Sequence, residues 1–253
     1  MSGGLRRLAP LLPLLAGGAA VALSWERWIN PFMDSARELA VPARVADGER
    51  LYRDVAYHYG PAGPWLNALA MELFGRRFAV LAAVGLLCAA IILVAQYRWT
   101  RRAGSEISAL AAVTLTAALC LGAPNGGAFV FPYSFGALFA VAGAFAALSR
   151  AARPAERRFD PMGSAGLFLA LTAKPEIGAA ASALLLIAAV RAADRRTETG
   201  RALRLLLPAL LASLLAYGVA FAGLNWEIRS PEGPLALFSP PEEWRNVYRL
   251  VSG

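Results

Sequence analysis

Long uncharged stretches separated by short arginine clusters constrain this chain more than any other feature. Uncharged runs cover Leu8–Trp25, Phe78–Tyr97, Ile107–Ser149, Pro161–Ala173, Ile177–Val190 and Leu205–Trp226. A helix needs about 20 apolar residues to cross the hydrocarbon core of a bilayer. The first two runs and the last are long enough for one crossing each. Ile107–Ser149 is long enough for two, and Ala123-Pro124-Asn125-Gly126-Gly127 breaks it with turn-forming residues. The expectation is therefore an all-α, polytopic transmembrane protein forming a single membrane domain over residues 1–253.

Arginine placement sets the expected orientation. Of 25 basic residues all but Lys174 are arginine, and 14 of the arginines fall in clusters between the apolar runs, at Arg6-Arg7, Arg98–Arg102, Arg150–Arg158 and Arg191–Arg204. Short loops rich in Lys and Arg stay in the cytoplasm, so these clusters and the N-terminus are expected there. Residues 30–64 then form an external loop, and residues 225–253 begin a further external segment. Pro64–Gly75 is apolar but short. A crossing there would place every later arginine cluster outside, so it is expected to lie along the outer surface as an interfacial helix. Arginines flank Pro161–Val190 on both sides, so it must go out and return. Its two arms are short, about 20 Å each at ~1.5 Å per residue. The tip Lys174-Pro175-Glu176 is thus expected below the outer surface, where charged groups face a cavity or each other. The total is seven membrane helices or arms, with surface helices in the first outer loop.

Composition excludes other classes. The net charge of +8 and the pI of 10.2 would suit nucleic acid. No basic patch interleaved with aromatics is present, however, and a 58% hydrophobic content points to the bilayer instead. Cys88 and Cys120 both lie inside apolar runs, which argues against a disulfide framework. There is neither a phosphate-binding Gly-x-x-x-x-Gly-Lys loop nor a Cys/His metal cluster, and a lone histidine gives no support to a serine hydrolase. Arg6-Arg7, the apolar run and the small residues at Ala20-Val21-Ala22 also fit a cleavable signal peptide. The reading adopted keeps this segment as the first span.

Chemistry concentrates in the outer loop. Asp34, Glu38, Asp47, Glu49 and Asp54 share it with Tyr52, Tyr57, Tyr59 and the only histidine, His58. Asp34 follows the first span almost directly, where a carboxylate can take a proton from an acceptor or hold a metal beside a lipid-borne substrate. Asp34 is also a good N-cap for a helix starting at Ser35. Glu38 can be a solvated helix-face charge, Asp54 an ordinary surface ion pair with Arg53, and His58 an interfacial anchor between tyrosines. Lys174 and Glu176 can simply neutralise each other.

The acid after the first span, the stretch Asp47-Gly48-Glu49-Arg50-Leu51-Tyr52-Arg53-Asp54, then Tyr57-His58-Tyr59-Gly60-Pro61, and an apolar segment ending Leu73-Phe74-Gly75 resemble membrane glycosyltransferases of the GT-C superfamily. The bacterial branch related to protein mannosyltransferases and to lipid A aminoarabinose transferase is the most similar. The resemblance implies transfer of a sugar from a polyprenyl-phosphate donor to a lipid, glycan or protein acceptor on the outer face of the bacterial cytoplasmic membrane. It implies Asp34 as the catalytic acid, acting as general base or metal ligand, so that a divalent metal is the one cofactor left open. Glu38, Asp54 and His58 are candidates for shaping the site, Lys174 for holding the carrier phosphate, and Glu176 is a further substrate-binding candidate. Members of that family run to roughly twice this length, and the chain reads as their N-terminal module. Two other readings stand beside this one. In the first, a transporter or lipid carrier uses the Lys174-Pro175-Glu176 break as a binding site. In the second, the chain is a non-catalytic membrane scaffold.

Overall fold

The computed structural model describes residues 11–25, 27–28, 35–123, 128–151, 160–192 and 195–222. These residues are all-helical, with no strand beyond an isolated bridge between Leu51 and Val55. Nine helices are described among them: α1 Leu11–Leu23, α2 Ser35–Ala46, α3 Ala62–Phe74, α4 Phe78–Ala103, α5 Glu106–Gly122, α6 Phe135–Ala151, α7 Pro161–Ala173, α8 Pro175–Arg191 and α9 Arg195–Phe221. Only α4 and α9 are long and apolar enough to cross a membrane by length and composition, and α1, α5, α6 and α7 are shorter apolar helices.

Local sequence explains most boundaries. Ser105 caps α5 by accepting the Ser108 amide, and Ser108 returns the bond to Ser105, a reciprocal box that satisfies two otherwise unpaired donors. Asp160 caps α7 through the Gly163 amide at 3.1 Å, with Pro161 at the first helical position, where its missing N–H costs nothing. Lys174 is at once the residue closing α7 and the one opening α8, and Pro175 again takes the first position. The two arms are therefore separate helices, broken at a single extended residue.

The helices are apolar on both faces. In α4 the buried face carries Leu81, Gly85, Cys88, Ile92 and Ala95, while Leu87, Ile91 and Val94 stand exposed on the opposite one. Along α9, Leu207, Leu211, Leu214, Leu215 and Val219 are exposed, and Ala202, Leu205, Leu206 and Ala209 are buried. Large apolar residues stand on both faces, and small ones sit at the closest helix contacts. The contact between α6 and α7 is the extreme case. A Cβ on Gly143 would lie 2.4 Å from the Gly166 carbonyl oxygen, and one on Gly166 2.6 Å from that of Gly143. The two backbones touch, and only glycine fits at both places. Such close approach is how helices associate where lipid removes the ordinary hydrophobic drive.

α7 sits centrally, packed on α6, α8 and α9. α1 packs on α5, α5 on α4, and α4 on α6. The connections gather at two ends. At one end, Arg150 pairs with Asp160 at 2.6 Å, Arg201 donates to the Arg150 carbonyl at 3.0 Å, and Trp99 meets Phe145. At the other, Ser24 Oγ donates to the Gly122 carbonyl and Trp28 Nε1 to that of Leu121, joining the finish of α1 to the finish of α5. Here too Trp28 stacks on Phe78 at the start of α4. α3 begins and finishes at this second end, with Gly63 against Gly136 at the start of α6 and Arg76, just past its finish, paired with Asp47 at 2.7 Å. It does not run the length of the bundle.

Two boundaries differ from the sequence expectation. The run Ile107–Ser149 is interrupted for longer than its turn-forming residues suggest, since 128–134 is also non-helical. Ala128, Val130 and Phe131 are nonetheless fully enclosed, and the Phe129 amide finds the Cys120 carbonyl at 2.7 Å. Irregular backbone of this kind is tolerated at depth only where protein surrounds it. α9 starts at Arg195, ahead of its uncharged run, because the preceding charged residues are good helix formers.

A lysine, a tyrosine and two helix starts at one end of the bundle

Residues 35–61 fold back onto the end of the bundle opposite Arg150 and Arg201. A small core of Val41, Leu51, Val55 and Tyr57 holds the loop together, with Tyr52 and Tyr59 packed against it. Gly60 makes the descent possible. A Cβ there would sit 1.9 Å from the Thr172 carbonyl oxygen, so the loop backbone lies directly on the last turn of α7. Tyr52 adopts a left-handed backbone with φ of 67°, a conformation costly for a bulky residue. It is held by the hydrogen bond from its hydroxyl to the Tyr59 carbonyl at 2.5 Å and by ring contact with Phe221.

This seating brings Tyr59 beside the helix break. The Lys174 ammonium stands 4.8 Å from the centroid of the Tyr59 ring, and the Arg37 guanidinium 5.1 Å from the same centroid. Cations over an aromatic face are attracted by its quadrupole. The Tyr59 hydroxyl reaches that of Tyr133 at 3.0 Å, and Tyr57 meets the Tyr59 ring edge-on at 5.7 Å. Lys174 is 16% exposed and lies 3.6 Å from the Glu176 carboxylate, which is itself 63% exposed. The two charges thus face each other, as one of the expected arrangements has it, although Glu176 is itself exposed. Glu176 lies in the first turn of α8, where the helix dipole favours a carboxylate, and it projects outward.

Glu38 is neither solvated nor on an exposed helix face. It is 3% exposed, and its Oε2 accepts the amide of Phe135, the first residue of α6, at 2.9 Å. Arg37 reaches its other oxygen at 3.2 Å. Ser134 Oγ accepts the Ala137 amide, so two side chains satisfy the start of α6. Asp54 makes its bonds within its own turn, to the Arg50 amide at 2.8 Å and to Arg53 at 2.8 Å. The hydrogen bond from Arg53 holds its carboxyl below the ordinary carboxylate range. Asp54 thus reads as the surface pair anticipated for it. His58 is half-buried, and burial first, then the Arg37 charge, lowers its pKa. Burial also raises the Tyr57 phenol, whose hydroxyl has no hydrogen-bond partner among the described residues. Asp34 lies outside the described residues.

Lys174, Glu176, His58 and Glu38 therefore share one end of the bundle. Tyr59, Tyr133 and Arg37, which sequence reasoning gave no site role, complete the arrangement. The repeated aromatics of Tyr57-His58-Tyr59 were the available signal. Among the described residues no group of three or more His, Cys, Asp or Glu side chains could hold a metal, and a metal on Asp34 lies outside them. What the described groups offer is a cation held against an aromatic ring, making no hydrogen bond among the described residues, at the start of a helix. That is chemistry for an anionic group such as a phosphate. No family model matches the chain, and no curated protein or solved structure shows significant similarity to it.

Proposed function

We propose that this chain is a multi-pass protein of the bacterial cytoplasmic membrane. Its arginine-rich end and N-terminus face the cytoplasm, and it transfers a sugar from a polyprenyl-phosphate donor to an acceptor on the outer side. The membrane placement is supported by the large apolar side chains that stand exposed along α4, α8 and α9, since runs of exposed apolar residues mark surfaces that contact something other than water. It is supported as well by the gathering of the arginine clusters at one end of the bundle. In this arrangement α2 and α3 are the surface helices of the outer loop, and the other seven are the membrane helices or arms.

The observation that carries the chemical reading is Lys174, seated on Tyr59 at the break between α7 and α8 and at the same end as the acid-rich loop. The acceptor hydroxyl or amine, relieved of its proton by Asp34, attacks the anomeric carbon. The bond from that carbon to the phosphate oxygen breaks, and the electron pair leaves with the polyprenyl phosphate. Lys174 meets the charge gained by the leaving phosphate, an interaction that grows toward the transition state and so speeds the reaction. Tyr59 fixes the ammonium in place, and Glu176 balances it in the absence of substrate.

The full chain in proteoliposomes, given a labelled polyprenyl-phosphate sugar and native membrane acceptors, tests this. Lys174→Ala is expected to lower transfer by about 10²–10³-fold, in line with loss of one preorganised charge-stabilising group, and Lys174→Arg to restore part of it. Unchanged transfer in Lys174→Ala, or none in the unaltered chain, would contradict the assignment. The helix break itself also suits a transporter, whose sites use such discontinuities. That reading requires substrate movement across the vesicle membrane that is lost in Lys174→Ala and kept in Asp34→Asn.

A further inference from the structure

At the arginine-rich end, away from Lys174, α4, α6, α8 and α9 leave a groove of about 430 Å³ between them. This is within the range of ~300–1,000 Å³ usual for small-molecule sites. Trp99, Leu148, Leu184, Leu185 and Leu205 contribute its walls, and Glu198 and Arg201 its polar rim. The hollow is bordered by small residues, Ala188 and Ala189 on α8 and Ala192 just past its end, where larger ones would close it. An apolar lining of this kind is poor for ordered water.

The lining itself holds one acid and one base, Glu198 and Arg201, and the surrounding end of the bundle is rich in arginine. Arg201 is 14% exposed, is anchored to the Arg150 carbonyl, and lies 3.8 Å from Glu198. Arg191, next to the lining residue Ala192, is exposed, as are Arg196 on α9 and Arg101 on α4. Glu198 is the one acid in the lining. Trp99 stands where the apolar surface of α4 gives way to arginine, the level at which tryptophans meet lipid headgroups. An apolar slot at an arginine-rich end of the bundle complements a molecule with an anionic head and a long apolar chain.

We propose that this groove holds one acyl chain of an anionic glycerophospholipid from the cytoplasmic leaflet, with the lipid phosphate toward Arg201 and the exposed arginines of this end. The inference rests on the membrane placement proposed above and is independent of sugar transfer. The lipid would wedge α8 against α4 and α9, fixing from the cytoplasmic side the helix that carries Lys174 at its other end.

Trp99 supplies the readout. The full chain is reconstituted in bilayers containing phosphatidylglycerol or phosphatidylcholine with brominated acyl chains, and the Trp99 signal is taken as the difference between the unaltered chain and Trp99→Phe. Brominated phosphatidylglycerol is expected to quench that signal at a several-fold lower mole fraction than brominated phosphatidylcholine. Ala188→Leu, which fills the groove from an exposed position, is expected to remove the preference. Equal quenching by the two lipids would reduce the groove to ordinary lipid contact and overturn the proposal, as would a preference that survives Ala188→Leu. Absence of quenching would overturn the membrane placement of this end. A chain that transfers sugar yet shows equal quenching would refute this inference alone.

Discussion

Glu38 and Phe135, 97 residues apart, are joined by a buried hydrogen bond in which the Phe135 amide donates to the carboxylate at 2.9 Å. It ties the start of α2 to the start of α6. Glu38→Ala leaves that amide and the nearby Arg37 without their carboxylate. Loss of a hydrogen bond to a charged group costs about 1.5–3 kcal/mol. The expected result is earlier thermal unfolding in detergent, with faster protease cleavage in the outer loop. Glu38→Gln should fall between the two. An Ala variant as stable as the unaltered chain would remove Glu38 as the clasp.

Gly143 and Gly166 hold α6 and α7 at backbone contact, each with the other's carbonyl oxygen where a side chain would go. Gly143→Ala forces the helices apart or the side chain off its preferred position, at about 1–3 kcal/mol for overpacking of this kind. Gly218, whose Cβ would meet nothing within 4 Å, is the matched control. Gly218→Ala should be neutral or mildly stabilising. Equal thermal midpoints for the two variants would contradict the packing described.

His58 carries a pH dependence whose sign follows from its lowered pKa. The unfolded chain, with an ordinary histidine near pH 6.5, binds a proton before the folded chain does. Stability from His58 is therefore present above that value and declines as pH falls below it, toward the lower folded pKa. Thermal midpoints measured from pH 8 down to pH 5 should fall less steeply in His58→Gln. Identical slopes in both proteins would mean that His58 does not titrate differently on folding.

The orientation has its own test. With Cys88 and Cys120 replaced by alanine and a single cysteine placed at position 101 or 53, an impermeant thiol reagent added to intact cells should label position 53 and not 101. Labelling of 101 from outside would invert the scheme.

How far the sequence reached depends on whether the determining interactions are local. α7 was legible to the residue, because Asp160, Pro161 and Lys174-Pro175 mark both its limits within the segment itself. α8 begins at Pro175, two residues ahead of its uncharged run, since a proline at the first position and a glutamate in the first turn both favour a helix start. Residues 128–134 read as helix from their apolar character, yet they fold irregularly around a contact with Cys120. That outcome is set by neighbouring helices and invisible in composition. The same holds for the site. Lys174 stood out as the only lysine and Glu176 as its neighbour, whereas Tyr59, Tyr133 and the inward turn of Glu38 depend on contacts across 74 residues or more.

The most direct test of the account is sugar transfer by Asp34→Asn. Asparagine keeps the size and much of the capping ability of aspartate, so folding and membrane insertion should persist. It removes the charge needed to take a proton or hold a metal, and general-base loss typically costs about 10²–10⁴-fold. Label transferred from a polyprenyl-phosphate sugar, in membranes holding equal amounts of each protein, is expected to fall by that factor in Asp34→Asn. Near-normal transfer by Asp34→Asn would contradict the catalytic assignment, and absence of transfer by the unaltered chain would contradict the function.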